Sequence, residues 1–109
     1  MAVPHAKAGE VVDLRPLGAE LSSSRTTAIM KSEEFEAVRL IVRAGATIPA
    51  HQVAGNIMLH CLEGRVQLGL PDSTLELAAD QWVYLDGGVS HWVKGVEDSS
   101  LLLTILFDR

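Results

Sequence analysis

Apolar and polar residues alternate with a period of two along most of this chain, in short runs. From Glu36 onward, Val38, Leu40 and Val42 fall on one side of an extended segment, while Arg39 and Arg43 fall on the other and read as a solvated face. Val66, Leu68 and Leu70 alternate in the same way with Arg65, Gln67 and Gly69. The SEEFEAV stretch after Lys31 would also suit a capping-type helix start, but the alternation that follows decides for a turn into a strand. Shorter β-prone pieces are predicted at residues 11–14, 26–30, 48–53, 74–77, 82–85 and 91–96. Two stretches are apolar at almost every position. Residues 57–62 predict a strand with core on one side and a neighbouring sheet or subunit on the other, and residues 101–107 a strand buried on both faces.

Turn chemistry separates these runs. Gly45, Ala54-Gly55-Asn56, Glu63-Gly64, Pro71-Asp72-Ser73, Asp86-Gly87-Gly88 and Glu97-Asp98-Ser99 each break the pattern, and Ser22-Ser23-Ser24 reads as loop. The result is roughly eight to ten short strands with no helical periodicity and no fixed repeat, which predicts an all-β sandwich or barrel. Residues 1–8, with Pro4 and His5, predict a poorly ordered arm, and residues 9–109 a single β-barrel domain. His5 there reads as a solvated tail residue.

Composition narrows the classes. A chain of 109 residues, 48% apolar and 21% charged, is one globular domain. Its formal charge of -5, with nine scattered basic residues, argues against nucleic acid as a partner. The lone Cys61 excludes an internal disulfide framework and any CxxC-type zinc site. No run approaches the roughly 18 apolar residues of a membrane span, and the N-terminus lacks the apolar core of a secretory signal. A cytoplasmic protein with no membrane partner is the expectation.

Two segments carry the candidate chemistry, RAGATIPAHQVAGNIMLHCLEG from Arg43 to Gly64 and LDGGVSHWV around His91. They resemble the two signature segments of the single-domain cupins, the RmlC-like superfamily of cupin-2-type barrels. The first family segment reads G-x5-HxH-x3-E-x6-G, and Gly45, His51 and Gly64 match it in register. The second reads G-x5-PxG-x2-H-x3-N. Gly88 and His91 match, while Asp80, Asp86 and Gly95 replace its first glycine, its proline and its asparagine. The resemblance spans about residues 36–107. It implies a double-stranded β-helix, or jelly-roll barrel, with one pocket around His51 and His91, and a homodimer.

The same resemblance implies a metal held by four side chains, and here the motif is incomplete. Val53 stands in place of the second histidine and Ile57 in place of the glutamate. Two imidazoles leave a first-row metal short of the usual three or four ligands. His60 is the first candidate to make up the set: a strand of the form GxITLQVLEG in some short cupins is similar to GNIMLHCLEG, with His60 at the glutamine. Strict alternation from an inward Ile57 turns His60 outward and Cys61 inward, and a bulge would reverse that. Cys61 reads chiefly as a packed core thiol, Glu63 as a solvated turn residue, and Gln52 as having the wrong parity. Trp82, Tyr84, Trp92 and Phe107 read as core or interface residues.

Three functions stay open. One is a mononuclear enzyme, dioxygenase-like or isomerase-like, with Fe, Mn, Ni, Cu or Zn held by His51, His91 and His60. The second is a metal-free cup binding a small organic ligand. The third is a sensor or interaction module without catalysis, which the lack of a DNA-binding segment disfavours.

Overall fold

The alternating runs pair into two antiparallel sheets. The computed structural model describes residues 5–107, and in it the strands are β1 (Thr27–Lys31), β2 (Phe35–Val42), β3 (Thr47–His51), β4 (Ile57–Glu63), β5 (Arg65–Gly69), β6 (Thr74–Ala78), β7 (Trp82–Leu85), β8 (His91–Gly95) and β9 (Ser99–Leu106). One sheet has five strands in the order β1-β2-β9-β4-β7, the other four in the order β3-β8-β5-β6. Consecutive strands such as β3 and β4, or β6 and β7, therefore lie in different sheets, and the chain winds back and forth between them. No helix among the described residues is long and apolar enough to cross a membrane.

The core lies between the sheets and follows from the period of two. Ile57, Leu59 and Cys61 of β4 turn inward with Val66 and Leu68 of β5, Val93 of β8 and Leu101 of β9. Their cross-strand partners share the face: Ile57 lies opposite Leu85 and Ile105, and Leu59 opposite Val83 and Leu103. Strand β4 runs inside its sheet, between β9 and β7, with Met58, His60 and Leu62 half-buried on its outer face. Pro49 falls within β3, an edge strand of the smaller sheet, where a missing amide donor is tolerated.

Several expectations need correction. Residues 11–14 form no strand, and Val11 is almost fully exposed. Instead of pairing, the segment lies beside β1 and β2 near Thr27, Ile29, Arg39 and Ile41, and the Arg15 carbonyl that follows it accepts from Arg39. Residues expected as serine loop belong in part to a 3-10 helix, Gly18–Ser23, in which the Ser23 and Ser24 hydroxyls donate to the Glu20 carbonyl. Two 3-10 turns are too short to leave a helical period. The last strand is buried on both faces only at Ser99, Ser100 and Leu101; Leu106 is exposed. Beyond Leu101 its outward side chains have no covering layer among the described residues.

The largest correction concerns charge. Arg39 is buried rather than solvated, and the Glu63 carboxylate beside it is largely covered. The guanidinium of Arg39 donates to the Ser100 hydroxyl and, at 2.7 Å, to the Arg15 carbonyl, and lies 3.6 Å from Glu63. Glu63 in turn accepts from the backbone amides of Leu17 (2.7 Å) and Gly18 (3.2 Å). Arg39 points outward from the larger sheet by parity, whereas Glu63, which alternation from Cys61 would turn inward, is brought to the outer face by the register shift between Cys61 and Glu63, opposite Ser100. What buries them is the segment ahead of β1, which these bonds tie across β2 and β9. Arg43 does stay exposed, while bonding the carbonyls of Ser22 and Ser24.

Of the arm expected over residues 1–8, residues 1–4 lie outside the described residues. Within the rest, the Ala6 amide donates to the Ile29 carbonyl at 2.7 Å, which ties that part to β1. Gly64 closes the β4–β5 turn at φ +87°, and a Cβ there would run into the Asp98 carbonyl and the Ser99 hydroxyl. Only glycine fits that position.

Candidate functional site

Strands β3 and β8 bring the two histidines of the signature segments side by side. Thr47 lies opposite Lys94 and Ile48 opposite Val93; a bulge follows, and His51 then lies opposite His91. Three residues on β3 thus span two on β8, which re-aims His51 to meet a ring that simple alternation from Ile48 would miss. Strand β8 itself alternates, with His91, Val93 and Gly95 buried. The two ring centroids are 4.5 Å apart with the planes tilted by 54°. His91 is 6% exposed, whereas His51 is exposed, so the pair runs from a covered wall out to solvent.

Each ring is braced in the same way. His51 Nδ1 lies 3.0 Å from the Pro49 carbonyl, and His91 Nδ1 lies 3.1 Å from the Val89 carbonyl. A carbonyl oxygen only accepts, so Nδ1 carries the hydrogen in both bonds and, in the neutral ring, Nε2 keeps its lone pair. The pair therefore offers two fixed acceptors on adjacent strands. The loops around it are also tied together: the Gly88 amide donates to the Val53 carbonyl at 2.7 Å and the Gly87 amide to Asn56 Oδ1 at 2.8 Å.

The third sequence candidate is elsewhere. His60 alternates with the inward Leu59 and Cys61, so it faces outward from the larger sheet, in register with Trp82 on β7 and Leu102 on β9. No bulge interrupts β4 before Cys61 to reverse it. Cys61 is fully buried, and its thiol contacts the carbonyls of Glu63 and Gly64. Burial pushes this thiol above its ordinary range, against a smaller opposing effect of the Glu63 carbonyl. Val53 packs against the core and Ile57 belongs to it. Trp82 and Tyr84, read as core or interface, are exposed on the described chain.

These donors do not fit the metal that the signature implies. Two imidazoles meet, the flanking positions carry the aliphatic Val53 and Ile57, and no group of three His, Cys, Asp or Glu side chains gathers among the described residues. A mononuclear site needs one or two further protein ligands to be stable.

No protein-family model matches the chain, and no curated protein matches it in sequence. Solved structures do resemble it. A cupin superfamily protein of Desulfitobacterium hafniense DCB-2 is 16% identical, with a TM-score of 0.77 over 94% of this chain and 100% of that one. An RmlC-like cupin protein of Desulfovibrio desulfuricans is 22% identical, with a TM-score of 0.73 over 89% and 97%. KdgF of Halomonas sp. is 16% identical, with a TM-score of 0.69 over 77% and 78%. At such identities the likeness speaks for the fold. This protein has the cupin fold, a double-stranded β-helix. The signature glycine positions agree with it in backbone as well as in register: Gly45, Gly64 and Gly88 lie at φ +80°, +87° and +83°, and Asp80, where the signature has glycine, lies at +70°. Aspartate is among the few non-glycine residues that accept that region.

Proposed function

We propose that the protein is a small-molecule-binding cupin that works without a resident metal, with the His51–His91 pair as its recognition element. The observation that carries this reading is the common bracing of the two rings. Both Nδ1 atoms are committed to carbonyls, so in the neutral rings both Nε2 atoms are left as acceptors, on rings whose centroids are 4.5 Å apart. A ligand that offers two adjacent hydroxyl donors, as a sugar or other diol does, complements that arrangement. Val53 and Ile57 supply apolar surroundings where the signature would place further metal ligands, and a partly apolar cup with a few convergent polar groups is the usual make-up of a ligand site.

The test is a thermal-shift and NMR titration against sugars and diols, small acids, and Fe, Mn, Ni, Cu and Zn salts. Diol ligands should shift the His51 and His91 ring nitrogens and stabilise the fold. The substitution His51→Ala, at an exposed position, should abolish the effect without lowering Tm. Retention of more than ~0.1 equivalent of metal after reconstitution and dialysis, lost on His51→Ala, would refute metal independence.

The outer side of the larger sheet supports a second element of the reading, a homodimer. Met58 and Leu102 are half-buried there, with Tyr84 and Leu106 exposed, on the half of the sheet that the N-terminal segment does not cover. Uncharged apolar surface of this kind suits a second copy of an acidic chain. A sedimentation profile of a monomer at tens of micromolar would dismiss it. A cytoplasmic setting is in keeping with the lone free thiol of Cys61.

A further inference from the structure

Strands β6 and β7 follow one another in sequence but end different sheets, so their free edges face each other across an open side of the barrel. Between them lies a cleft of about 400 Å³ that shares no residue with the histidine pair. Its floor is core: Leu68 and Leu77 are buried, and Val83 packs against them. Leu75 lies opposite Leu68 in register and so turns toward the same interior, yet it is 39% exposed. It is a core position without cover. Trp82, 57% exposed and on the outer face of β7 in register with His60, stands at the mouth on the β7 side.

The cleft is pinned open. In the β6–β7 turn the Asp80 amide donates to the Cys61 carbonyl at 2.8 Å, and the Gln81 carbonyl accepts from the Cys61 amide at 2.9 Å. The Ala79 amide donates to the Gly64 carbonyl at 3.2 Å. These bonds tie the base of the arch to β4 and the β4–β5 turn, so β6 cannot swing onto β7 to bury Leu75.

The polar groups of the lining define what can enter. Glu76 is 3.5 Å from Arg65, and Gln81 Oε1 accepts from the Ala78 amide at 2.8 Å. Among the described residues no cationic side chain lines the cleft, and the chain carries a net charge of -5, so a carboxylate or phosphate finds no counter-charge there. Aliphatic walls with an indole at the mouth favour a flat apolar ring, which can lie against Trp82. We infer that the β6–β7 cleft is a second binding site, separate from the histidine pair, for an uncharged aromatic molecule of one or two rings.

Titration of the full chain with naphthalene and with indole, followed by methyl and indole NMR, tests this. The expected result is a saturable shift of the Leu75, Leu77 and Val83 methyls and of the Trp82 indole N–H, with Kd below about 1 mM. Leu75→Arg and Trp82→Ala, both at exposed positions, should each weaken binding at least tenfold while the amide spectrum stays folded. His51→Ala should leave binding unchanged, which separates this site from the diol site. The inference is overturned by the absence of a saturable shift at the solubility limit, or by equal binding in both variants. It is also overturned by loss of binding in His51→Ala, or by decanoate binding as tightly as naphthalene.

Discussion

Removing the Glu63 carboxylate should be among the most damaging single changes on the outer surface of the larger sheet. In Glu63→Ala, Arg39 keeps its burial but loses its counter-charge, and the Leu17 and Gly18 amides lose their acceptor. Breaking a buried pair by deleting one member costs about 3–5 kcal/mol. The side chains here keep 11% and 14% of their exposure and stand 3.6 Å apart, so the pair itself belongs below that range, at ~2 kcal/mol. The two lost bonds to a charged acceptor add ~1 kcal/mol in all, because Gly18 is exposed and its amide regains water. The total of ~3 kcal/mol corresponds to a fall in Tm of roughly 12–20 °C for a domain near this size. Thermal and urea denaturation of Glu63→Ala, Arg39→Met and the double variant Arg39→Met/Glu63→Leu give both the loss and the coupling energy. The double variant should lie only ~1–2 kcal/mol below the parent, since apolar replacement removes both desolvation costs together while the Leu17 and Gly18 amides and the Arg15 carbonyl stay without these partners. Hydrogen exchange supplies a second readout, in which the Leu17 amide should lose protection before the core strands do. A loss under ~1 kcal/mol with Leu17 protection intact would show that the segment is not held by this network.

Other outcomes follow from particular residues. Gly64→Ala should destabilise by ~3 kcal/mol, because left-handed strain adds to collision with the Asp98 carbonyl and Ser99. Gly45→Ala, at φ +80° with open space around it, should cost only ~1 kcal/mol. Equal losses in urea denaturation would mean that the collision is relieved by backbone movement. The Cys61 thiol is raised by burial, so the folded state favours its protonated form. Its contribution is complete below the ordinary thiol range and is lost as pH rises through the raised value. Stability should therefore fall as pH rises from the ordinary thiol range upward, less so in Cys61→Ala. A thiol reagent should modify Cys61 no faster than the protein unfolds, and rapid labelling of the native state would contradict its burial.

The strand pattern was readable because a sheet with one face in the core imposes a period of two, and most of this chain obeys it. Of the glycines read as turns, Gly45, Gly64 and Gly88 sit where the backbone is left-handed, and Asp80 shows that the conformation outlasts the residue type. For His60, alternation from an inward Ile57 offered an outward direction but left a reversing bulge open, and only the uninterrupted register of β4 up to Cys61 closes that alternative. Burial of Arg39 and Glu63 was not readable, since parity gives the side of a sheet but not what lies over it. Their cover comes from residues far earlier in the chain, through Arg15, Leu17 and Gly18. The cleft at Leu75 escaped for the converse reason: its parity is that of a core residue, and only the missing neighbour makes it a surface.

The candidate site divides along the same line. Sequence by itself determined that His51 and His91 occupy signature positions and that Val53 and Ile57 withhold two donors, because spacing and residue type are local facts. Tertiary structure alone decided that a bulge sets the two rings 4.5 Å apart, that carbonyls two residues back fix both tautomers, and that His60 stands on the far side of its sheet. Those outcomes depend on which strands pair and in what register, and pairing is a property of the whole chain.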